Sequence, residues 1–533
     1  MTAAVSTSDR PLGGSADSSR GDRADSSRAS QKRRTPAVIT LLVLATFVVI
    51  LNETIMLNAI PNLMRSFGVT EHAAQWVSTA FMLTMASVIP VTGWFLQRVT
   101  TRAAYATAMG VFIAGTLVSA LAPVFGVLLA GRVIQAAGTA IMMPLLMTTL
   151  MTVVEESDRG RVMGNMSMAI SVAPALGPTV SGLILQFGSW RLLFVLVLPI
   201  AVAVTWSGLR RLENVGETSE SSVDWASVVV AALGFGSLVY GLSRFAEGEV
   251  GLPLVIAGVG ALLIVGFVLR QLHLQRSGTP LLDLRALKHA TFAKALVLMA
   301  IAFLAMMGSM ILLPLYLQTV RGLSPLYTGL LVMPGGLAMG LLGPTVGRIF
   351  DAYGGRVLMI PGSIGIVVTL AGLSQISMTT PYWVVLALHM VLMVSLASAF
   401  TPVFTLGLGS LPTHLYSHGS SILGTLQQVA AAFGTALSVT VMSVRSEQVV
   451  DTVGAVAAQV SGLQAAFLVS AVLALVVVVM AVLLPARADG HGEAEAEADP
   501  GTDAEQDPEA RTDLDVELAE LCEHGREPAA CGC

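Results

Sequence analysis

Two ionisable side chains lie inside apolar stretches of this 533-residue sequence, one acidic and one basic. Glu53 occurs within VILNETIMLNAIP (residues 49–61), and Arg132 occurs within a second apolar run. A charged group in hydrocarbon costs about 2.5–3.5 kcal/mol on insertion scales, and such groups usually mark an ion or substrate path. Hydrocarbon favours the neutral acid, whereas a nearby guanidinium favours the carboxylate. We therefore predict that Glu53, opposed by Arg132, exchanges a proton for a cationic cargo; the alternative is a static pair that joins two helices.

Further polar side chains occur in the same apolar surroundings. We predict that they line a substrate cavity, and the alternative for the amides is hydrogen bonding between helices. One of them, a histidine, is also a weaker second candidate for carrying a proton. The cavity candidates are Asn52, Asn58, Gln75, Gln135, His389, Gln427 and Gln428.

Fourteen apolar runs of roughly twenty residues would position these side chains, because each can cross about 30 Å of hydrocarbon as a helix. Hydrophobic residues make up 54% of the chain and charged residues only 12%, whereas soluble domains carry about a quarter. The sequence therefore predicts an all-α integral membrane protein with fourteen transmembrane helices. The predicted spans cover residues 37–61, 74–96, 104–123, 125–152, 162–186, 190–209, 224–243, 251–270, 291–317, 326–346, 356–374, 381–407, 417–442 and 463–484.

The charge pattern indicates how these spans are oriented. With the N-terminus in the cytoplasm, the tails and inner loops hold 23 of the 29 Lys and Arg residues, which places both termini inside. Residues 1–35 are predicted to be a disordered cytoplasmic tail, and residues 486–533, with 15 acids and 3 bases, a disordered acidic one. The basic residues are scattered rather than gathered in a patch, so no nucleic-acid partner is predicted.

An internal repeat divides the predicted spans. An offset of 257 residues aligns Arg132 with His389, and Gly177 with Gly434. Related halves around a midplane site are common in secondary transporters. We predict a first six-helix half at residues 36–210, a second at 291–485, and two inserted helices with a cytoplasmic linker at 211–290.

Two glycine-containing motifs stand out beside the ionisable pair. The fifth span contains Pro174, Gly177, Pro178 and Gly182, which would kink the helix and allow a neighbour to approach closely. After the tenth span, GRIFDAYGGR combines turn glycines with an aspartate between two arginines, which predicts a charge-assisted cytoplasmic latch. Its first-half counterpart, GWFLQRVTTR, has Gln97 and Thr100 instead and needs other partners. The predicted latch residues are Gly93, Arg98, Arg102, Gly347, Asp351, Gly354 and Arg356.

Taken together, these motifs resemble those of the major facilitator superfamily, specifically its fourteen-span bacterial drug:proton antiporters. Residues 131–138 (GRVIQAAG) are similar to the family's span-four arginine motif, and residues 173–182 to its antiporter motif, with Ser181 in place of a glycine. LNETIMLNAIP resembles the branch that includes lincomycin-resistance exporters, in which Asn52 stands where many relatives have an aspartate. The resemblance implies two six-helix halves with two inserted central helices, and a proton role for Glu53.

From the residues and this resemblance we predict proton-coupled export of small amphipathic drugs, such as lincosamides or lipophilic cations, across a bacterial plasma membrane. The alternative within transport is export of a metabolite such as a diamine or amino-acid derivative. A membrane-embedded enzyme would need clustered carboxylates or a His/Asp group at a membrane face, and a scaffold would not need Glu53 and Arg132 at matching depth. Substrate, protons and lipids are the expected partners. No cofactor or metal site is predicted, because the Cys and His residues of the acidic tail match no standard zinc spacing.

Overall fold

The computed structural model describes residues 38–186, 188–212, 214–215, 224–246, 251–276 and 280–487, and these ranges contain helices and loops but no strand. Short 3₁₀ turns and one π-helical turn supplement the α-helices. The α-helices are α1 (Val38–Ile55), α2 (Ile60–Phe67), α3 (Glu71–Arg98), α4 (Thr101–Ala120), α5 (Phe125–Val153), α6 (Arg159–Gln186), α7 (Arg191–Arg211), α8 (Trp225–Ala246), α9 (Gly251–Leu274), α10 (Ala290–Leu315), α11 (Pro325–Tyr353), α12 (Arg356–Leu373), α13 (Tyr382–Gly409), α14 (Tyr416–Val453) and α15 (Ala455–Leu483).

Within the described ranges, 13 helices are long and apolar enough to cross a membrane. Each corresponds to a predicted span. The predicted span at residues 162–186 forms the 28-residue helix α6, several of whose side chains lie outside the described residues, and it is not among the 13. The all-helical membrane fold is confirmed, whereas the count of fourteen stays a prediction.

Two groups of helices and a separate hairpin make up the bundle. In the predicted first half, α4 packs on α5 and α7, and α3 packs on α5; in the second, α10 packs on α13, α14 and α15, and α12 packs on α13 and α15. The inserted helices α8 and α9 pack on each other. The division at residues 210 and 291 remains a prediction. The predicted tails lie outside the described residues, apart from positions 486 and 487.

The ends of several helices follow from their sequences. The hydroxyls of Thr70, Thr100 and Ser324 accept hydrogen bonds from backbone N–H groups in the first turns of α3, α4 and α11. These are normal N-caps that satisfy otherwise unpaired donors. Gly354 and Gly454 follow α11 and α14 with φ of +81° and +82°, a conformation that favours glycine.

The aligned repeat positions make corresponding contacts. Arg132 is the eighth residue of α5, and His389 is the eighth residue of α13. Gly177 of α6 packs directly on Thr54 of α1, and Gly434 of α14 packs directly on the backbone of α10 at Leu304; a β-carbon at either glycine would overlap its neighbour. Glycine at these two places lets paired helices approach closely.

The loops and helix ends of the bundle lie at two opposite faces. The terminal face holds the α3–α4, α5–α6, α11–α12 and α13–α14 loops together with the end of α15. The far face holds the opposite ends of the same helices, including the starts of α5 and α13.

Candidate functional site

Arg132 lies at the centre of a buried polar network in the predicted first half. Its guanidinium is 1% exposed and donates hydrogen bonds to Asn52 Oδ1 of α1 at 3.2 Å and to Gln135 Oε1 at 2.5 Å. It also lies 4.2 Å from the ring centroid of Phe81 on α3. A buried arginine needs such acceptors because it keeps its proton. The network therefore joins α1, α3 and α5 around one permanent charge.

Gln135 extends this network to a fourth helix. Its amide Nε2 donates to Thr116 Oγ1 on α4 at 2.7 Å, while its oxygen accepts from Arg132. Both Gln135 and Asn52 are at most 1% exposed. In this conformation the polar atoms of these two amides orient Arg132, and their place in a substrate cavity stays a prediction.

Glu53 follows Asn52 directly on α1, and its side chain is half-buried. Within the part of the chain that the structure describes, its carboxyl group makes no hydrogen bond and no ion pair, although it interacts electrostatically with Arg132. Successive residues on an α-helix are rotated by about 100°. Asn52 consequently points at the guanidinium, whereas the neighbouring acid is left unpaired. The static Glu53–Arg132 pair is not formed.

The backbone around Glu53 is irregular. Helix α1 ends at Ile55, and residues Met56–Ala59 form a 3₁₀ turn before α2. Gly177 of α6 packs against Thr54, immediately beside Glu53. A 3₁₀ stretch within a helical segment often marks a hinge, and interrupted helices commonly build the central sites of transporters.

The antiporter-like motif behaves differently along its length. Helix α6 is continuous from Arg159 to Gln186, so it runs through Pro174 and Pro178 without a break. Close approach occurs at Gly177, but a β-carbon on Gly182 would meet no atom within 4 Å. Among the described residues, close approach is thus seen at Gly177, and at Gly182 it stays a prediction. The side chain of Pro178 lies outside the described residues.

The remaining cavity candidates are dispersed. Gln75 on α3 and the adjacent Gln427 and Gln428 on α14 are half-buried, and the described structure gives their side-chain amides no hydrogen bond. His389 is 2% exposed, packs on Gly335 of α11, and has no partner for either ring nitrogen among the described residues. The side chain of Asn58 lies outside the described part. Among the described residues, no hydrogen bond or ion pair joins these side chains to Glu53.

At the terminal face, α3 of the first half packs against α14 of the second. Thr92 and Ser421 share a hydrogen bond of 2.8 Å between their hydroxyls, and Gln97 Nε2 donates to the His414 carbonyl at 2.8 Å. An added β-carbon on Gly93 would lie 3.0 Å from His418 Nδ1. Gly93 thus allows the close contact, and Gln97 supplies the other partner that the first-half motif needed.

A second contact between the halves is formed by α6 and α11. Gly160 and Gly164 of α6 face Gly347 and Gly343 of α11 so closely that a β-carbon on any of the four would overlap backbone or side-chain atoms of the other helix. Asp351 accepts hydrogen bonds from the backbone N–H groups of Gly160 at 2.8 Å and Arg161 at 2.7 Å. A carboxylate is favoured at a helix N-terminus, where free N–H groups and the helix dipole meet it.

The predicted pairing of Asp351 with its flanking arginines is wrong. Arg348 donates to the Pro344 carbonyl, and Arg356 donates to the Leu484 carbonyl at 2.9 Å. The partner of Asp351 is the first turn of α6, about 190 residues earlier in the chain. Among the other latch residues, Gly354 ends α11, the Arg102 backbone N–H donates to Asn214 Oδ1, and Arg98 is exposed.

Sequence reasoning missed the hydroxyl pairs that cross between the halves. Besides Thr92–Ser421, Thr148 and Ser420 lie 3.0 Å apart, and the Thr401 hydroxyl donates to Ser167 at 3.3 Å. Interhelical hydrogen bonds in membranes contribute about 0.6 kcal/mol on average. The signal that could have found them is small polar residues in spans of opposite halves at similar distances from the terminal face.

Comparison with known proteins identifies the family. The family model described as Major Facilitator Superfamily matches residues 42–435. The chain belongs to this superfamily. The superfamily transporter YcnB of Bacillus subtilis, named as uncharacterized, is 39% identical over 443 residues, covering 82% of this chain and 93% of YcnB. The lincomycin resistance protein LmrB of Listeria monocytogenes is 37% identical over 452 residues, covering 83% of this chain and 95% of LmrB.

Solved structures agree on the fold. The human organic anion transporter MFSD10 superposes with a TM-score of 0.63 at 14% identity, over 84% of this chain and 99% of that one. At 14% identity, this similarity shows the fold alone and not the function. This major facilitator protein is a multi-pass transporter of the plasma membrane that moves small molecules, and it is not an enzyme.

Proposed function

We propose that this transporter exports small amphipathic drugs, such as lincosamides or lipophilic cations, from the cytoplasm in exchange for protons. The carrying observation is that, among the described residues, Glu53 lies half-buried with no hydrogen bond or ion pair, while Arg132 donates its hydrogen bonds to the neutral groups of Asn52, Gln135 and the Val77 carbonyl. A carboxyl group without a fixed partner is free to alternate between proton and cationic cargo. The lincomycin resistance named in LmrB, at 37% identity, supports an antibiotic as the substrate.

The proposed orientation places the terminal face in the cytoplasm, as the distribution of Lys and Arg predicts. The contacts between the halves described above, at Thr92–Ser421 and at Asp351 with α6, lie toward that face. This conformation is then the one closed to the cytoplasm, in which Glu53 takes up a proton from outside. Opening toward the cytoplasm requires α3 and α6 to separate from α14 and α11.

Exchange follows from charge balance at the site. When Glu53 is protonated, the charge of Arg132 makes the site net positive, and the site repels a cation. When Glu53 is ionised, the charges of the two side chains sum to zero, and the site admits a cation. A cationic drug entering from the cytoplasm therefore favours release of the proton there. The ionised form of Glu53 admits the cationic drug and the protonated form excludes it. Proton entry down its gradient is therefore coupled to export of the drug.

The experiment is a susceptibility panel on cells with and without the protein, containing lincosamides, lipophilic cations, diamines and amino-acid derivatives. We expect raised tolerance to the drugs, lost when a protonophore collapses the gradient. Tolerance confined to diamines or amino-acid derivatives would instead assign the protein to metabolite export. Tolerance unchanged by the protonophore would exclude proton coupling.

A further inference from the structure

An apolar cavity of about 200 Å³ lies between the inserted hairpin and the second half. Helices α8 and α9 form one wall, through Gly241, Leu254 and Ala257, and α14 forms the other, through Phe433 and Leu437. None of its lining residues belongs to the Arg132 network or to the contacts at the terminal face. The cavity is therefore a separate feature of the molecule.

The cavity does not result from loose packing inside the hairpin. Gly241 lies so close to the next helix that a β-carbon there would be 2.6 Å from the Pro253 carbonyl and from Ala257 N, and Gly260 packs equally closely on Leu238. Close glycine contacts of this kind hold membrane helices together. The hairpin is thus a tightly packed unit, and the cavity lies at its border with α14.

The hairpin is attached to the first half by its other side. Ser87 of α3 donates a hydrogen bond to the Ala232 carbonyl of α8 at 3.1 Å, and the rings of Trp76 and Tyr240 lie 5.6 Å apart. Helix α8 also packs directly on α14, so the cavity is a local space in the seam between the hairpin and this second-half helix. Alternating access moves the two halves against each other. A rigid fit at this seam would resist that movement.

The cavity has a buried back and an open mouth. Ala257 and Ala436 are 9% and 3% exposed, whereas Leu254 and Phe433 at the rim are 60% and 46% exposed. The rim continues into the exposed apolar surface of α9, which includes Leu262 at 73%. In a membrane this surface meets hydrocarbon. Ala257 lies six residues from the far-face start of α9, about 9 Å along the helix, which is the depth of acyl chains.

We propose that this cavity binds one acyl chain of a phospholipid from the far leaflet. Apolar cavities of about 150 Å³ stay dry and accept apolar molecules, and the bilayer offers hydrocarbon at the mouth. A flexible chain there seals the seam between the hairpin and α14 while allowing the halves to move. The binding is independent of any transported substrate, so its test does not depend on the proposed drug export.

The experiment uses the full-length protein in nanodiscs that contain a phospholipid with a photoreactive diazirine midway along one acyl chain. After irradiation, labelled peptides are mapped by mass spectrometry. We expect label concentrated on segments of α8, α9 and α14 that line the cavity. Leu437→Trp fills the cavity and lowers this label about fivefold or more, the factor that corresponds to about 1 kcal/mol of binding.

The matched control is Leu262→Trp, which makes the same change on the exposed face of α9 and leaves the cavity label unaltered. Thr440→Leu provides a milder filling variant if Leu437→Trp fails to give a monodisperse protein. Uniform labelling around the lipid-facing surface would overturn the proposal, as would unchanged label in the folded filling variant. Displacement of the label by excess tetraphenylphosphonium would assign the cavity to a lipophilic cation instead.

Discussion

Arg132 donates its hydrogen bond on α1 to the amide of Asn52 at 3.2 Å, and not to the adjacent carboxyl group of Glu53. The permanent charge is thus solvated by neutral groups, with Gln135 as the second acceptor. Because Arg132 does not depend on Glu53 for a hydrogen bond, Glu53 can gain and lose a proton without leaving a buried guanidinium that lacks acceptors. In the proposed mechanism, Arg132 is held by the amides while Glu53 exchanges the proton.

Gln135→Leu tests the role of the amide in this network. The substitution keeps the size of the side chain but leaves Arg132 short of one acceptor and the Thr116 hydroxyl without its amide donor. Leaving buried polar groups unsatisfied costs about 1–3 kcal/mol, so we expect a lower thermal unfolding temperature together with reduced export. Gln75→Leu is the control, because that half-buried amide makes no hydrogen bond in the described structure. Equal unfolding temperatures for both variants would contradict the network's role.

The helices could be predicted from sequence because their signal is local. Apolar runs of the right length gave all thirteen apolar helices, and the same reasoning placed Glu53 and Arg132 within two of them. Helix α6 was predicted in the same way at residues 162–186, and it forms a continuous helix that packs closely on α11. The existence and approximate length of each helix follow from the composition of its apolar run.

The partners of the site residues could not be predicted in the same way. One step along α1 separates Asn52 from Glu53, but the helix rotation that decides which of them meets Arg132 depends on packing of the whole half. Asp351 was assigned to nearby arginines because they are close in sequence, whereas its N–H donors belong to α6. Contacts between halves join residues hundreds of positions apart, and local spacing carries no information about them.

Asp351→Asn tests the contact between α11 and the first turn of α6. Asn offers one acceptor oxygen to the two N–H donors, so this contact should weaken by about 1 kcal/mol and the terminal face should open about fivefold more often. A cysteine at Gln427, in a background without the native tail cysteines, reports opening through alkylation by an impermeant maleimide from the terminal side. Asp158→Asn makes the same substitution at an outward aspartate near the same helix start. Equal alkylation rates for both variants would show that Asp351 does not hold this face closed.

Gly347→Ala tests how closely α6 and α11 must approach. The new methyl group would overlap the Gly160 carbonyl, and overpacking of this kind costs about 1–3 kcal/mol. We expect a lower unfolding temperature by tryptophan fluorescence and reduced export. Gly258→Ala on α9 is the matched control, because its methyl group meets no atom within 4 Å. A Gly347→Ala protein as stable as Gly258→Ala would mean that α6 and α11 can accommodate the added methyl group between them.

Asp224, just before α8, gives a prediction for the dependence of stability on pH. Hydrogen bonds from Arg270 at 2.7 and 2.8 Å, followed by one from Ser227, lower the pKa of Asp224 from 3.8 to about 2. A lowered pKa stabilises the folded protein above the unfolded value, and this contribution is lost as the pH falls from about 4 to about 2. We expect Asp224→Asn to unfold at a lower temperature at pH 7, with the difference from wild type vanishing toward pH 2. The effect is small because Arg270 is 43% exposed. A difference that persists at pH 2 would rule out the ion pair as its cause.

The most direct test of the account is proton exchange by Glu53→Gln in proteoliposomes, measured with an internal pH dye as a lipophilic cation is added. The amide keeps the shape of the side chain but cannot bind and release a proton at neutral pH. Glu447→Gln, at an exposed acid near the far end of α14, is the matched control. We predict cation-driven proton movement in wild type and Glu447→Gln, and none above empty liposomes in correctly folded Glu53→Gln. Proton movement at the wild-type rate in Glu53→Gln would contradict the account.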